Sequence, residues 1–114
     1  MRPISVGKNL VASVKTTIYQ IPKGHFAEWL LLYVSNANGV NKEVTVWWYD
    51  KTANTEVLII DRYPLTSSQF LKFDSSAYVV LEEGDEIRIL TEAGSVMSCV
   101  NTFNIFASNT SPLV

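Results

Sequence analysis

The chain has one cysteine, Cys99, and one histidine, His25, among 114 residues. A lone cysteine excludes an intramolecular disulfide and any metal site built from several thiolates, so Cys99 reads as a small buried hydrophobe. A lone histidine excludes the clustered imidazoles that most transition-metal enzymes need. Charge is scarce too. Charged residues make up 18% of the chain, against about a quarter in an ordinary soluble domain. Nine basic and eleven acidic residues leave a net charge of −2, and the lysines are scattered from Lys8 to Lys72 without forming the basic run that grips phosphates. No nucleic-acid partner is expected. The longest apolar run, Trp29 to Val34, is far shorter than the roughly 20 residues of a membrane-spanning helix, so no membrane partner is expected. The segment MRPISVGKNLVASVK is interrupted by Pro3, Gly7 and Lys8 and lacks the continuous apolar stretch of a secretory signal. No segment holds a period of 3.6 over three turns.

What is present is a chain that is 47% hydrophobic, long enough for one real core and too short for two. Segments rich in Val, Ile, Thr, Trp and Tyr recur at short intervals, each closed by Gly, Asn, Asp, Ser or Pro. The first runs from about Leu10 to Ile21 and stops at Pro22-Lys23-Gly24. The second covers Glu28 to Ser35 and the third Lys42 to Asp50. Between them lies Asn38-Gly39, a pair that favours a type I′ hairpin turn. A fourth covers Glu56 to Asp61, so strands two to four read as an antiparallel meander. Pro64 breaks the pattern, and Thr66-Ser67-Ser68 reads as a loop. Short strands follow near Phe70 to Phe73 and Tyr78 to Leu81, then Glu86 to Thr91 and Met97 to Phe106. The tally predicts a single all-β domain over residues 1–114, an antiparallel sandwich or jelly roll of about eight strands, with 1–8 and 107–114 as flexible arms.

Side chains alternate across a strand, so Leu30, Leu32 and Val34 should share one face while Trp29, Leu31 and Tyr33 share the other. On the next strand Val44, Val46 and Trp48 oppose Thr45, Trp47 and Tyr49. A sheet wetted on one side needs only one apolar face. The compact aliphatic set Leu30, Leu32, Val34, Val44 and Val46 is the predicted core. Trp29, Tyr33, Trp47 and Tyr49 then form an outer aromatic stripe, and large aromatics with polar handles are the side chains that anchor interfaces.

Chemistry is sparse. His25 sits beside the Pro22-Lys23-Gly24 turn, and the candidate nucleophiles Ser35, Ser98 and Cys99 lie in no recognisable motif, so no catalytic residue is assigned and the chain reads as a non-enzyme. Glu82, Glu83, Asp85 and Glu86 lack the alternating oxygen ligands of a calcium loop and read as a solvated turn. No metal or cofactor site emerges.

Three stretches, YQIPKGHFAEWLLLYVSNA (19–37), VTVWWYD (44–50) and IIDRYPLTSSQFLKFDSSAYVVLEEGDEIRI (59–89), together resemble small virion structural proteins of tailed bacteriophages, of the decoration (cement) or head-tail accessory type. The shared features are a Pro-x-Gly turn at Pro22 and Gly24, a tryptophan-rich strand with Trp47 and Trp48 ending at Asp50, a proline step at Pro64, and a closing turn through Leu81, Gly84, Asp85 and Ile87. The resemblance implies a capsid decoration subunit that binds and stabilises the assembled particle. It also admits a head-to-tail or tail adaptor. A carbohydrate- or receptor-binding module of a tail fibre is the alternative that an exposed aromatic stripe would serve. The implied partners are phage capsid or neck and tail proteins and further copies of the chain, as a trimer or ring, in a virion assembled in the bacterial cytoplasm.

Overall fold

A computed structural model describes residues 2–67 and 70–108, with residues 70–78 described by their backbone. Eight strands form it: β1 (Arg2–Leu10), β2 (Thr16–Gln20), β3 (His25–Asn36), β4 (Lys42–Asp50), β5 (Thr55–Leu65), β6 (Phe70–Leu81), β7 (Glu86–Thr91) and β8 (Met97–Ala107). They make two four-stranded antiparallel sheets, ordered β1-β8-β3-β6 and β2-β7-β4-β5. Only the β4 to β5 connection stays within a sheet, and every other connection crosses between the two. That alternation is the jelly-roll form of the sandwich, and it meets the all-β expectation.

Several local expectations give way. Residues 2–8 are no arm. They are most of β1, which pairs along its whole length with β8 from Arg2 opposite Ile105 to Leu10 opposite Met97. The stretch from Leu10 to Ile21 is broken at residues 11–15, where Ser13 takes a positive φ of 64° and donates its N–H to Thr91 O. The second arm is strand as far as Ala107; residues 109–114 lie outside the described residues, as does Ser68. Pro64 does not end β5 but lies inside it. β5 is an edge strand, and there a missing N–H costs no ladder bond. The two short strands after residue 69 are one strand, β6, whose pairing with β3 jumps between Asp74 and Val79.

The meander fails at its first turn. β3 and β4 belong to different sheets, and neither Asn38 nor Gly39 has the positive φ that a type I′ turn requires. Asn36 is the reason. Its buried amide Nδ2 donates toward the carbonyls of Val40, Leu65 and Thr66 at 3.1, 3.0 and 3.3 Å, while its Oδ1 accepts from Asn38 N–H at 2.8 Å. One side chain thus satisfies backbone groups on both sides of the crossover and binds it to the end of β5.

The core lies between the sheets. Leu32, Val34, Val44 and Val46 are fully buried as predicted, joined by Ile87, Ile89, Leu81 and Phe103. Leu30 is only half-buried. It occupies the register shift between Trp29 and Leu31, and a bulge adds one residue and reverses the facing of all that follow. Trp29 therefore faces the same side as Leu32. It is core, 1% exposed.

At the far end from Asn36, the turn after β6 is closed by Asp85. Its carboxylate, 1% exposed, accepts from Trp48 Nε1 at 3.1 Å, Glu82 N at 2.9 Å and Lys51 N at 3.0 Å. Its backbone carbonyl accepts from Ile21 N at 3.0 Å. Gly84, at φ 85°, lets the turn pass under Lys51, and a Cβ there would collide with that side chain.

These two anchors are complementary, one amide meeting oxygens and one carboxylate meeting N–H groups, so the isosteric exchanges should be equally damaging. Asp85→Asn turns an amide N–H toward N–H donors, and Asn36→Asp turns oxygen toward carbonyls. Each is expected to cost about 2–4 kcal/mol in urea unfolding, with the slope unchanged; a loss within experimental error at either site would contradict its anchoring role.

Candidate functional site

The four residues of the predicted stripe do not meet. Trp29 lies in the core, where its indole N–H donates to Asn101 Oδ1 at 2.9 Å. Asn101, itself fully buried, donates to Cys99 Sγ at 3.7 Å. Tyr33 lies on the outer face of the β1-β8-β3-β6 sheet. Trp47 and Tyr49 lie on the outer face of the other sheet, across the thickness of the molecule. Splitting β3 from β4 separates them, and the bulge at Leu30 removes Trp29.

The Trp47 and Tyr49 face is closed by charge. Lys15 Nζ sits 4.0 Å above the Trp47 ring and Arg88 Cζ 4.1 Å above the Tyr49 ring. Glu56 joins the two cations, with Oε1 2.8 Å from Lys15 and Oε2 2.9 Å from Arg88, and Arg88 Nε reaches Glu86 at 3.0 Å. Thr17 and Gln20 bond Glu86 from β2. The network thus joins the charges of Lys15, β7 and β5 with the neutral Thr17 and Gln20 of β2 and the two rings of β4. The hydrogen-bonded Lys15 ammonium holds the Glu56 carboxyl below its ordinary value, with burial opposing and Arg88 adding to the effect. Burial pulls the Arg88 guanidinium down, but its bonds to Glu86 and Glu56 outweigh that and hold it above its ordinary value.

The opposite outer face is different. β3 and β8, the inner strands of its sheet, contain Glu28 and no other Asp, Glu, Lys or Arg over their combined length. Phe26 and Phe106 stack there with centroids 4.9 Å apart. Tyr33 stands opposite Val100, and Val80 opposite Glu28; Val100 and Val80 are 37% and 48% exposed. Its inner strands are the ones poorest in charge, although β5 of the other sheet also exposes Leu58 and Tyr63, and of the four predicted interface residues this face holds Tyr33 alone.

At the end of the sandwich near the Pro22 turn, a cleft of about 370 Å³ opens between β1 and β2. Arg2, Tyr19 and His25 line it above a floor of Ile4, Pro22 and Ile105. His25 Nδ1 lies 3.0 Å from Lys23 O; a carbonyl only accepts, so Nδ1 carries a proton and Nε2 is left for other partners. The candidate nucleophiles are elsewhere. Ser35 and Ser98 pair on the outer face of the first sheet, and Cys99 is buried 2% exposed, its thiol pushed up to about 11 by desolvation. Among the described residues no group of three or more His, Cys, Asp or Glu side chains is placed to hold a metal. Sequence reasoning picked out His25 but missed Arg2 and Tyr19, because only the sheet topology brings β1 beside β2.

The sequence matches no protein-family model and no curated protein. The fold is similar to solved structures. One is of Bacillus endospore appendages, described as a novel family of disulfide-linked pili, with a TM-score of 0.54 and 14% identity over 95% of this chain and 87% of that one. Another is the globular domain of zebrafish complement 1qA protein, with a TM-score of 0.48 and 14% identity over 94% of this chain and 98% of that one. At such identity the likeness is one of fold.

Two outcomes check this placement. Trp29→Ala is expected to cost about 3–5 kcal/mol of stability, as a core deletion does, whereas a surface role would leave the melting curve nearly unmoved. Because the folded carboxyl of Glu56 lies below its ordinary value of 4.5, its contribution is present above that pH and is lost as pH falls through the lowered value. Glu56→Gln should therefore lower stability at neutral pH by roughly 1 kcal/mol or less, given the partial exposure of the pair, and the gap from the parent protein should close under acid.

Proposed function

We propose that this chain is a non-enzymatic structural subunit of a tailed-phage virion, a decoration protein that docks on the assembled particle through the outer face of the β1-β8-β3-β6 sheet. The observation that carries this reading is the contrast between the two outer faces. One is spanned by the Lys15, Glu56, Arg88 and Glu86 network, which keeps its charges satisfied within the subunit. The other has a single carboxylate on its two inner strands, exposes Val80 and Val100, and carries the half-buried Phe26 and Phe106 pair. Depletion of charge around aromatic and aliphatic side chains marks the centre of a protein interface. The resemblance of the Pro22, Trp47, Pro64 and Gly84-Asp85 segments to phage structural proteins supports placement on a virion, and the apolar face favours decoration over the other stations.

The sugar-binding alternative draws less support. Stacking on a sugar needs an open ring face, and Trp47 and Tyr49 each have one face occupied by a cation. A neck or tail adaptor would use the same apolar face and differs in copy number, which a virion reconstruction reads directly.

Val100→Glu tests the docking face. Val100 is a surface residue of β8, so its replacement should change stability by about 0.5 kcal/mol or less. Its occupancy on purified particles, read by quantitative gel analysis after co-sedimentation, should fall at least tenfold. Lys15→Met, on the other sheet, should leave occupancy unchanged. Full occupancy with Val100→Glu would overturn the choice of face, and failure of the parent protein to bind any capsid, neck or tail assembly would overturn the function.

A further inference from the structure

The cleft between β1 and β2 has a chemistry that the docking face does not use. Its polar rim is made of Arg2, Tyr19 and His25, and no Asp or Glu is among its lining residues. Among the described residues Arg2 has no ion-pair partner and the Tyr19 hydroxyl no hydrogen bond. His25 commits Nδ1–H to Lys23 O and keeps Nε2. The nearby Glu83 is turned away, accepting Gly24 N–H at 2.7 Å. Two groups that can donate to an anion, the Arg2 guanidinium and the Tyr19 hydroxyl, therefore line the cleft with no acidic side chain among its lining residues to meet them, while His25 Nε2, with the ring proton on Nδ1, is an acceptor. Below them Ile4, Pro22 and Ile105 form an apolar floor.

We infer that this cleft is a binding site for a small organic monocarboxylate with an apolar body. The planar guanidinium of Arg2 matches a carboxylate in a forked, two-bond geometry. The Tyr19 hydroxyl adds a donor at the side, and the floor takes the hydrocarbon. The volume of about 370 Å³ lies at the low end of small-molecule sites, which run from about 300 to 1,000 Å³. That suits an aryl or short acyl acid rather than a nucleotide or oligosaccharide. Inorganic phosphate is a poorer match, because the site offers one guanidinium, no lysine and an apolar floor that phosphate would leave dry and unfilled.

The inference stands apart from the proposed docking role. The cleft lies at the end of the sandwich, and its ligand can be measured on the isolated full chain. The ligand probes are phenylacetate, its neutral isostere phenylacetamide, inorganic phosphate and N-acetylphenylalanine, titrated while backbone and side-chain chemical shifts are followed. Phenylacetate is expected to give saturable shifts at Ile4, Tyr19 and His25, with a Kd on the order of 1 mM. Phenylacetamide and phosphate should each bind at least tenfold more weakly. Arg2→Gln, at an exposed position, should weaken phenylacetate about tenfold or more while its melting curve overlays that of the parent. N-acetylphenylalanine separates the source of the carboxylate: tighter binding than phenylacetate identifies the C-terminus of a peptide chain, and weaker binding a free acid. Equal binding of phenylacetamide, the absence of saturable shifts, or an unchanged affinity in Arg2→Gln would overturn the site. Should Arg2→Gln disturb the melt, the comparison of acid with amide on the parent protein decides the matter alone.

Discussion

A buried carboxylate with three N–H donors around it is the constraint on which one end of this molecule depends. Asp85 draws its donors from the β6 to β7 turn, from the indole of Trp48 on β4 and from the start of the β4 to β5 turn, and its backbone holds the end of β2 through Ile21. Those groups come from well-separated parts of the sequence. Each of these N–H groups is partly buried, and leaving one without a partner costs about as much as a lost hydrogen bond. The carboxylate also fixes the rest of that end. Gly84 N–H donates to Ile21 O and Glu83 binds Gly24 N–H, so the turn that carries Asp85 sets the path of the Pro22 loop and with it the position of His25.

Asn36 does the equivalent work at the other end with the opposite polarity, an amide facing carbonyls. The sandwich is thus clamped at both ends by a polar side chain, while the space between is filled mainly by apolar side chains, with the Trp29 and Asn101 pair among them. This division explains why so weakly charged a chain can hold its loops in place. Several loops are bound by side-chain to backbone bonds, and among the described residues the Lys15, Glu56, Arg88 and Glu86 network lies on one outer face.

Much of the fold was legible because strand periodicity is a local signal. β4 and β7 begin and end where the Val, Ile and Trp pattern does, and Leu32, Val34, Val44 and Val46 are core for the reason that alternation gives. The placement of faces was less legible because it depends on features that alternation cannot register. A single bulged residue at Leu30 carries Trp29 inward. The pairing of strands was illegible in another way: Asn38-Gly39 is a hairpin signal only if its neighbours are in one sheet, and the long-range bonds of Asn36 decide that they are not. Of the cleft, the sequence offered His25 alone. Arg2 stood in a segment that read as an arm, and nothing near Arg2 in sequence points to β8, whose pairing makes that segment a strand.

The position of β8 has a consequence for how the chain is made. It lies between β1 and β3 in the first sheet, so the first of the eight described strands has no neighbour in its sheet until the eighth has left the ribosome. β3, too, waits with one side of its ladder unfilled and with Trp29 and Leu32 uncovered on that flank. Folding must close the chain's widest loop before the sheet is continuous, which makes it slow for its size and leaves two open ladder edges available to any other strand in the interval. The hazard of this architecture is therefore concentrated in its birth: crowded synthesis on one message is when neighbouring chains are best placed to exchange β8.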